Sequence, residues 1–337
     1  MGQRLRRESL ATLPTPVRSV ELNHATGDKI VSIKCDDLSG GVYGGNKVRK
    51  LEYALWPARQ RKKLNIATFG AVGSNHALAT ALYARSLGYG CTCFLSHQAA
   101  SPGIARTLNA LLANGAEIVR FGGAYSKRVQ ILREHLWNRN FWIIPAGGSS
   151  WLGTMGFVNA GLELAAQIES GDLLLPDRIY MATGTMGSAA GLAIGLAIAG
   201  LPCRVEAVRV SATSICNERR LRKLIATTIA MMYRLDASIT SELQQQVNIR
   251  LRHSFYADGY ARSNRETDDA VKFANDELGL ALETTYTGKA MAALLRDLSK
   301  NRDQRPMFWN TYNSAPLPVP DGSLPGGRLP EEFQKYL

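Results

Sequence analysis

The chain has 337 residues, 45% apolar and 20% charged, with a formal net charge of +12. That length points to two domains or one large α/β unit of ordinary globular composition, and it excludes repetitive, collagen-like and low-complexity classes. The densest basic runs are only Arg59-Gln60-Arg61-Lys62-Lys63 and Glu218-Arg219-Arg220-Leu221-Arg222-Lys223, which read as solvated helix faces and argue against a nucleic-acid partner.

In chain order, the start Met-Gly-Gln-Arg-Leu-Arg-Arg lacks the apolar core of a secretion signal, and Arg6 stands where a myristoylation motif needs Ser or Thr. Residues 29–34 alternate as a strand, and an acidic, glycine-bearing loop follows. Leu51 to about Lys63 has a helical pattern, and Ile66 to Gly70 reads as a strand running into Ala71-Val72-Gly73-Ser74-Asn75-His76. Next come a helix (77–87), a strand (91–95), a helix (103–113), a strand (117–120), a helix (126–138) and a strand (141–145). Strands alternating with helices of this length predict right-handed βαβ units and a parallel sheet. Cys91 and Cys93 should point to the same side of their strand, and the five cysteines, without a CxxC pair, read as reduced and mostly buried thiols.

A second unit follows, with a helix over 157–170, a strand over 178–182 and a helix over 189–199. The run Ala189 to Leu201 is too short to span a bilayer and ends at Pro202, so no membrane partner and a cytoplasmic location are expected. A strand over 205–210 leads into a mostly helical region, then a helix to about Leu278. Residues 282–291 read as a strand end entering a helix, and 307–316 as a strand followed by a polar turn. The tail beyond Pro318 is rich in Pro and Gly and should lie on the surface.

Two stretches carry chemistry. Gly44-Gly45-Asn46-Lys47 delivers a lysine as a helix begins, and such a lysine can form a Schiff base with an aldehyde cofactor if it is kept neutral. Thr183-Gly184-Thr185-Met186-Gly187-Ser188 joins a strand to a helix, where free N–H groups, hydroxyls and the helix dipole favour phosphate. The Gly-Lys-Ser/Thr ending of nucleotide phosphate loops is absent, and Met186 stands where a dinucleotide fingerprint needs glycine.

Taken together, GGNKVRKLE (44–52), GSNHA (73–77), GGSSWLGTMGF (147–157), TGTMGSAAGL (183–192), GYARSN (259–264) and TYTGKAM (285–291) resemble the D-cysteine desulfhydrase and 1-aminocyclopropane-1-carboxylate (ACC) deaminase family. The upstream Leu13-Pro-Thr-Pro16 and KCDDLSGG (34–41) belong to the same likeness, which covers nearly the whole chain in order. The resemblance implies pyridoxal 5'-phosphate and the tryptophan synthase β-like α/β fold (fold type II). That fold has two three-layer domains with mostly parallel sheets. Residues 1–50 plus 159–337 would form the large cofactor-binding domain and 51–158 a small inserted one. Lys47 is implied to bind the cofactor covalently and to move protons. Asn75 would meet the cofactor's phenolic oxygen, and Thr185, Met186, Gly187 and Ser188 its phosphate. Ser74 would sit beside the substrate's carboxylate or α-carbon, where it or Lys47 takes the α-proton, with Asn75 and His76 completing that wall. Tyr260 and Tyr286 would line the substrate side, one of them passing a proton or polarising the leaving group. No metal is implied, and a homodimer acting on a small amino acid is.

Thr287 is implied to face the pyridine nitrogen, where ACC deaminases carry Glu. A hydroxyl is a milder partner than a carboxylate, which suits α,β-elimination from a substrate with a good leaving group on Cβ. The expected activity is therefore a desulfhydrase-like lyase giving pyruvate, ammonia and sulfide, ahead of ACC deamination or β-replacement. Three departures concern the substrate side. Thr284-Thr285 stand in place of the family's Asp-Pro, and GYARSN replaces Gly-Tyr-Gly-x-Pro. Asn310-Thr311-Tyr312-Asn313 replaces a His-Thr-Gly-Gly turn.

Overall fold

The computed structural model describes residues 5–22, 29–101, 103–137, 140–300, 305–317 and 328–337. Its first half runs β1 (Val17–Leu22), β2 (Lys29–Lys34), α1 (Asn46–Gln60), β3 (Asn65–Ala71), α2 (Asn75–Ser86), β4 (Gly90–Ser96), α3 (Gly103–Ala113), β5 (Glu117–Arg120), α4 (Tyr125–Leu136) and β6 (Phe141–Ile144). The second half runs α5 (Trp151–Glu169), β7 (Arg178–Thr183), α6 (Gly187–Ile198), β8 (Arg204–Arg209), α7 (Glu218–Leu235), α8 (Leu243–Gln246), β9 (Ile249–Arg252), α9 (Arg265–Leu278), α10 (Thr287–Leu298) and β10 (Pro306–Trp309).

The strands build a six-stranded sheet, β1-β2-β10-β7-β8-β9, and a four-stranded one, β5-β4-β3-β6. Among the described residues only the β1–β2 pair is antiparallel. Each sheet is covered on both faces, because strand residues alternate sides. On β7, Ile179 and Met181 pack with Phe157, Leu164, Leu192 and Ile225 of α5, α6 and α7. Tyr180 and Ala182 face Ala270, Ala290 and Leu294 of α9 and α10. In the smaller sheet, Ile66, Cys93 and Leu95 pack with α1, α2 and α3. Its other face carries Phe94 and Phe69, stacked at 5.2 Å, under Ile131 and Leu132 of α4. This is the expected architecture of two three-layer α/β units.

Several boundaries differ from expectation for identifiable reasons. The helix expected from Phe157 begins at Trp151, and its early glycines allow close packing rather than a turn: a Cβ on Gly156 would lie 2.0 Å from the Arg49 carbonyl oxygen. The expected limits at 50/51 and 158/159 fall inside α1 and α5, while β3 to β6 all lie between residues 65 and 144. No strand forms over 282–286, which is a turn entering α10. Residues 318–327 of the expected surface tail lie outside the described residues. Beyond them, Glu331–Tyr336 forms a 3-10 turn whose Phe333 is fully buried against the smaller sheet's core, so that part of the tail is packed rather than superficial. All five cysteines are buried and free, and the Cys91 and Cys93 sulfurs lie 3.9 Å apart, on one side of β4. Among the described residues no helix is long and apolar enough to cross a membrane.

A buried ionic cluster fixes the start of α1. Arg49 donates to Asp36 at 2.7 Å and to Glu163 at 2.8 Å, and Lys34 donates to Glu163 at 2.6 Å and to the Thr15 carbonyl at 2.7 Å. These contacts join β2, the acidic loop, α1 and α5 two residues beyond Lys47.

Candidate active site

A cavity of about 550 Å³ opens at the carboxyl ends of β3 and β7 and beside the turn after β10. That is where ligands bind in open α/β sheets. Lys47, Ser74, Asn75, His76, Thr185, Met186, Gly187, Ser188, Tyr260, Tyr286 and Thr287 all line it. The structure therefore brings every residue singled out in the sequence to one place.

Lys47 enters from the first turn of α1. Gly44 is required by close approach, since a Cβ there would lie 1.9 Å from the Asp37 carbonyl oxygen, and Gly45 has φ +84°. Beyond them, Asn46 donates from its backbone to the Thr311 carbonyl and from its side chain to Ser188 Oγ. Burial lowers the Lys47 amine to about 8, so a minority far larger than for an ordinary lysine is neutral near physiological pH. One turn later, Lys50 also lines the cavity and donates to the Gly147 carbonyl at 2.5 Å and to Ser149 Oγ at 3.0 Å. Burial, and then the charge of Lys47, press its pKa well below the ordinary value.

The glycine-rich turn lies against these lysines. Met186 adopts φ +68°, and α6 starts at Gly187. A helix start leaves its first N–H groups without partners in the helix, and its dipole favours an anion. Thr185 and Ser149 hydroxyls are 2.7 Å apart, and Gly187 N–H donates to Ser149 Oγ at 3.2 Å. A Cβ on Gly187 would come within 2.7 Å of Lys50 Nζ, so only glycine leaves that space open.

At the head of α2, Ser74 is the N-cap: its Oγ accepts the Ala77 N–H at 3.2 Å, which leaves its own proton free to donate. Asn75 Oδ1 accepts the Tyr43 hydroxyl at 3.3 Å, so its amide N–H₂ is the group left to point elsewhere. His76 Nε2 lies 3.0 Å from Thr68 Oγ1. Burial, with the charges of Lys47 and Lys50, drives its pKa well below 6.5, and the ring is neutral.

Across the cavity, the Tyr260 and Tyr286 hydroxyls hydrogen-bond each other. Burial pushes Tyr260 up to about 12 and Tyr286 well above 10, the latter also through Tyr260, so both are phenols rather than phenolates. Thr287 Oγ accepts the Glu283 N–H at 3.1 Å. The substituted turn puts Tyr312 into the cavity wall, where Arg106 of α3 donates to its hydroxyl at 2.8 Å. Asn313 Oδ1 accepts the Gly44 N–H at 2.6 Å, tying the turn back to the Lys47 loop.

Polar cavity residues that the sequence did not single out include Tyr43, Lys50, Arg128 and Glu283. Of these, Lys50 had a usable signal, standing three residues after Lys47 and so on the same face of α1.

The family described as pyridoxal-phosphate dependent enzyme matches residues 8–308. The D-cysteine desulfhydrases of Salmonella schwarzengrund and Salmonella newport are each 32% identical over 329 residues, covering 93% of this chain and 95% of theirs. The crystal structure of an ACC deaminase homologue superposes with a TM-score of 0.72 at 26% identity, covering 92% of both chains. A threonine deaminase from T.th. shares the fold, with a TM-score of 0.58 at 19% identity over 86% of this chain and 88% of its own. This chain belongs to the pyridoxal-phosphate-dependent enzyme family.

Proposed function

We propose that the protein is a lyase that expels a leaving group from Cβ of a small amino acid, as a D-cysteine desulfhydrase does. The observation that carries this reading is the pair of cavity lysines, Lys47 and Lys50, set against the glycine-rich start of α6. Two amines in one buried site favour a dianionic ligand, and an amine lowered to about 8 suits carbonyl capture.

The donor set fits pyridoxal phosphate. Thr185, Met186, Gly187 and Ser188 would hold the phosphate, with Lys50 as counter-charge. Lys47 would hold the aldehyde carbon, Asn75 the phenolic oxygen and Thr287 the ring nitrogen. Bound there, the cofactor supplies an electron sink for charge developing at the substrate α-carbon. Ser74, with its free proton, binds the substrate carboxylate, and neutral His76 packs behind it. Lys47 Nζ takes the α-proton, since an amine near 8 is matched to base work at neutral pH. The Tyr260–Tyr286 pair gives a proton to the departing sulfur. The 2-aminoacrylate released hydrolyses in water to pyruvate and ammonia. We also propose that residues 51–158 form a small inserted α/β domain and that the enzyme is a cytoplasmic homodimer.

The test is the visible spectrum of the holoenzyme before and after D-cysteine, with sulfide and pyruvate assayed together. A shifted band with both products is expected. A shifted band without sulfide would move the assignment to β-replacement or another amino acid, and 2-oxobutanoate from ACC would make it an ACC deaminase. No band with added cofactor would overturn the reading.

A further inference from the structure

The proposed reaction leaves the Glu283 carboxylate unused, although it lines the cavity. Its Oε1 accepts the N–H groups of Tyr286 at 2.8 Å and Thr287 at 2.9 Å, and its Oε2 accepts that of Thr285 at 2.8 Å. These bonds fix the carboxylate at the start of α10. They do not neutralise it: among the described residues no Lys, Arg or His forms a salt bridge with it, and burial raises its pKa despite the three donors. Lys289, whose charge is coupled to it, donates instead to the Tyr256 carbonyl at 2.9 Å. A buried carboxyl without a counter-ion in contact is costly, and at a cavity wall it favours a cation in that cavity.

The Thr287 hydroxyl transmits this preference. A threonine hydroxyl has one proton to give and two lone pairs to receive. One lone pair takes the Glu283 N–H at 3.1 Å, and the proton has its acceptors on the same residue, Glu283 Oε1 at 3.3 Å and the Glu283 carbonyl at 3.5 Å. What remains is a lone pair. It would oppose an unprotonated pyridine nitrogen, itself an acceptor, and it matches a ring N–H. The Thr287 hydroxyl is a neutral partner where ACC deaminases carry glutamate, but here a carboxylate stands behind it.

We propose that Glu283 is a positioning residue that, through Thr287, holds the ring nitrogen of the bound cofactor protonated. This rests on the placement of that nitrogen at Thr287 in the reading above. The ring proton comes from solvent as the cofactor seats, the Thr287 O–H bond stays intact, and the Glu283 anion balances the ring cation. The electron sink is then stronger than a lone hydroxyl would allow.

The experiment loads wild type, Glu283→Gln and Thr287→Val with cofactor labelled with ¹⁵N in the ring and records the ¹⁵N shift beside the visible spectrum. Wild type should give a pyridinium shift, and both variants should move downfield to the pyridine range while keeping the visible band of Lys47-bound cofactor. In steady state, kcat for D-cysteine should fall in Glu283→Gln by more than KM rises. A pyridine shift in wild type, or a pyridinium shift retained in the variants, would overturn the proposal. Should Glu283→Gln fail to fold, Thr287→Val decides alone, since it removes the hydroxyl and keeps the carboxylate cap. Failure of wild type to acquire any visible band would instead remove the underlying cofactor reading.

Discussion

Lys47 and Lys50 stand one turn apart on α1 and line the same cavity, and Lys50 is the one that reaches the glycine-rich turn. Their losses should therefore differ. Lys47→Ala should abolish turnover and the visible band of bound cofactor, because Lys50, the other lysine lining the cavity, is held at the Gly147 carbonyl and Ser149 Oγ instead. Lys50→Ala should keep the band and weaken cofactor binding about 10- to 100-fold, the effect of losing one charge-assisted hydrogen bond of about 1.5–3 kcal/mol. Titrating the apo variants with cofactor separates the two; equal affinity in Lys50→Ala and wild type would remove Lys50 from the phosphate site.

The lowered Lys47 amine sets the pH dependence of cofactor loading. Attack on an aldehyde needs the neutral amine, and burial brings its midpoint from 10.5 to about 8. The loading rate should rise about tenfold per pH unit at first, then level off above about pH 8. A rate still climbing at pH 10 would mean that the amine titrates as an ordinary surface lysine.

Much of this was legible in the sequence, because the alternation of strands and helices follows from side-chain periodicity alone. Lys47 and the 183–188 turn were legible because glycines beside polar groups mark places where backbone must meet a ligand. What escaped has a physical cause. The edge strand β1, VRSVEL, is only partly buried along most of its length and so shows no clean alternation. β9 has four residues, too few for a periodic signal. Glu283 is an acid between a leucine and two threonines, and nothing in that context says that its carboxylate turns back on the N–H groups of residues 285–287. Phe333 sits in a tail whose composition reads as surface, and its burial depends on a distant sheet.

The cluster under Lys47 should be the most costly polar site to break. Arg49 bridges Asp36 and Glu163, and its removal leaves two carboxylates buried without their main partner. Arg49→Met should cost about 3–5 kcal/mol, read as a lowered denaturant midpoint. Burial alone would raise Glu163, but Arg49 and Lys34 hold it down at about 2. A depressed carboxylate contributes stability above its unfolded value of 4.5 and loses it as pH falls through about 2, here about 3 kcal/mol. The wild-type unfolding free energy should drop across that window, and Glu163→Gln should lack that part of the slope. Parallel curves would show that the pair carries no net linkage.

Substrate size should be set by Tyr312. Its ring lines the cavity, and Arg106 fixes the hydroxyl from α3, a helix of the smaller sheet, while Asn313 anchors the same turn to Gly44. The phenol hydroxyl is thus held by Arg106 while its turn is held to Gly44, which opposes a swing that would admit a larger Cβ substituent. Tyr312→Ala removes the ring; Arg106→Ala leaves the ring and removes only its restraint. For the first, kcat/KM for an S-benzyl cysteine relative to cysteine should rise by about 10-fold or more, the scale of a pocket changed by a few carbon atoms. For the second, the ratio should rise by less, with most of the change in KM, because closure of the wall becomes optional rather than absent. The ordering of the two variants is the informative result. A larger effect from Arg106→Ala than from Tyr312→Ala would mean that the guanidinium acts on the substrate directly, and an unchanged ratio in both would place the side-chain pocket away from the substituted turn.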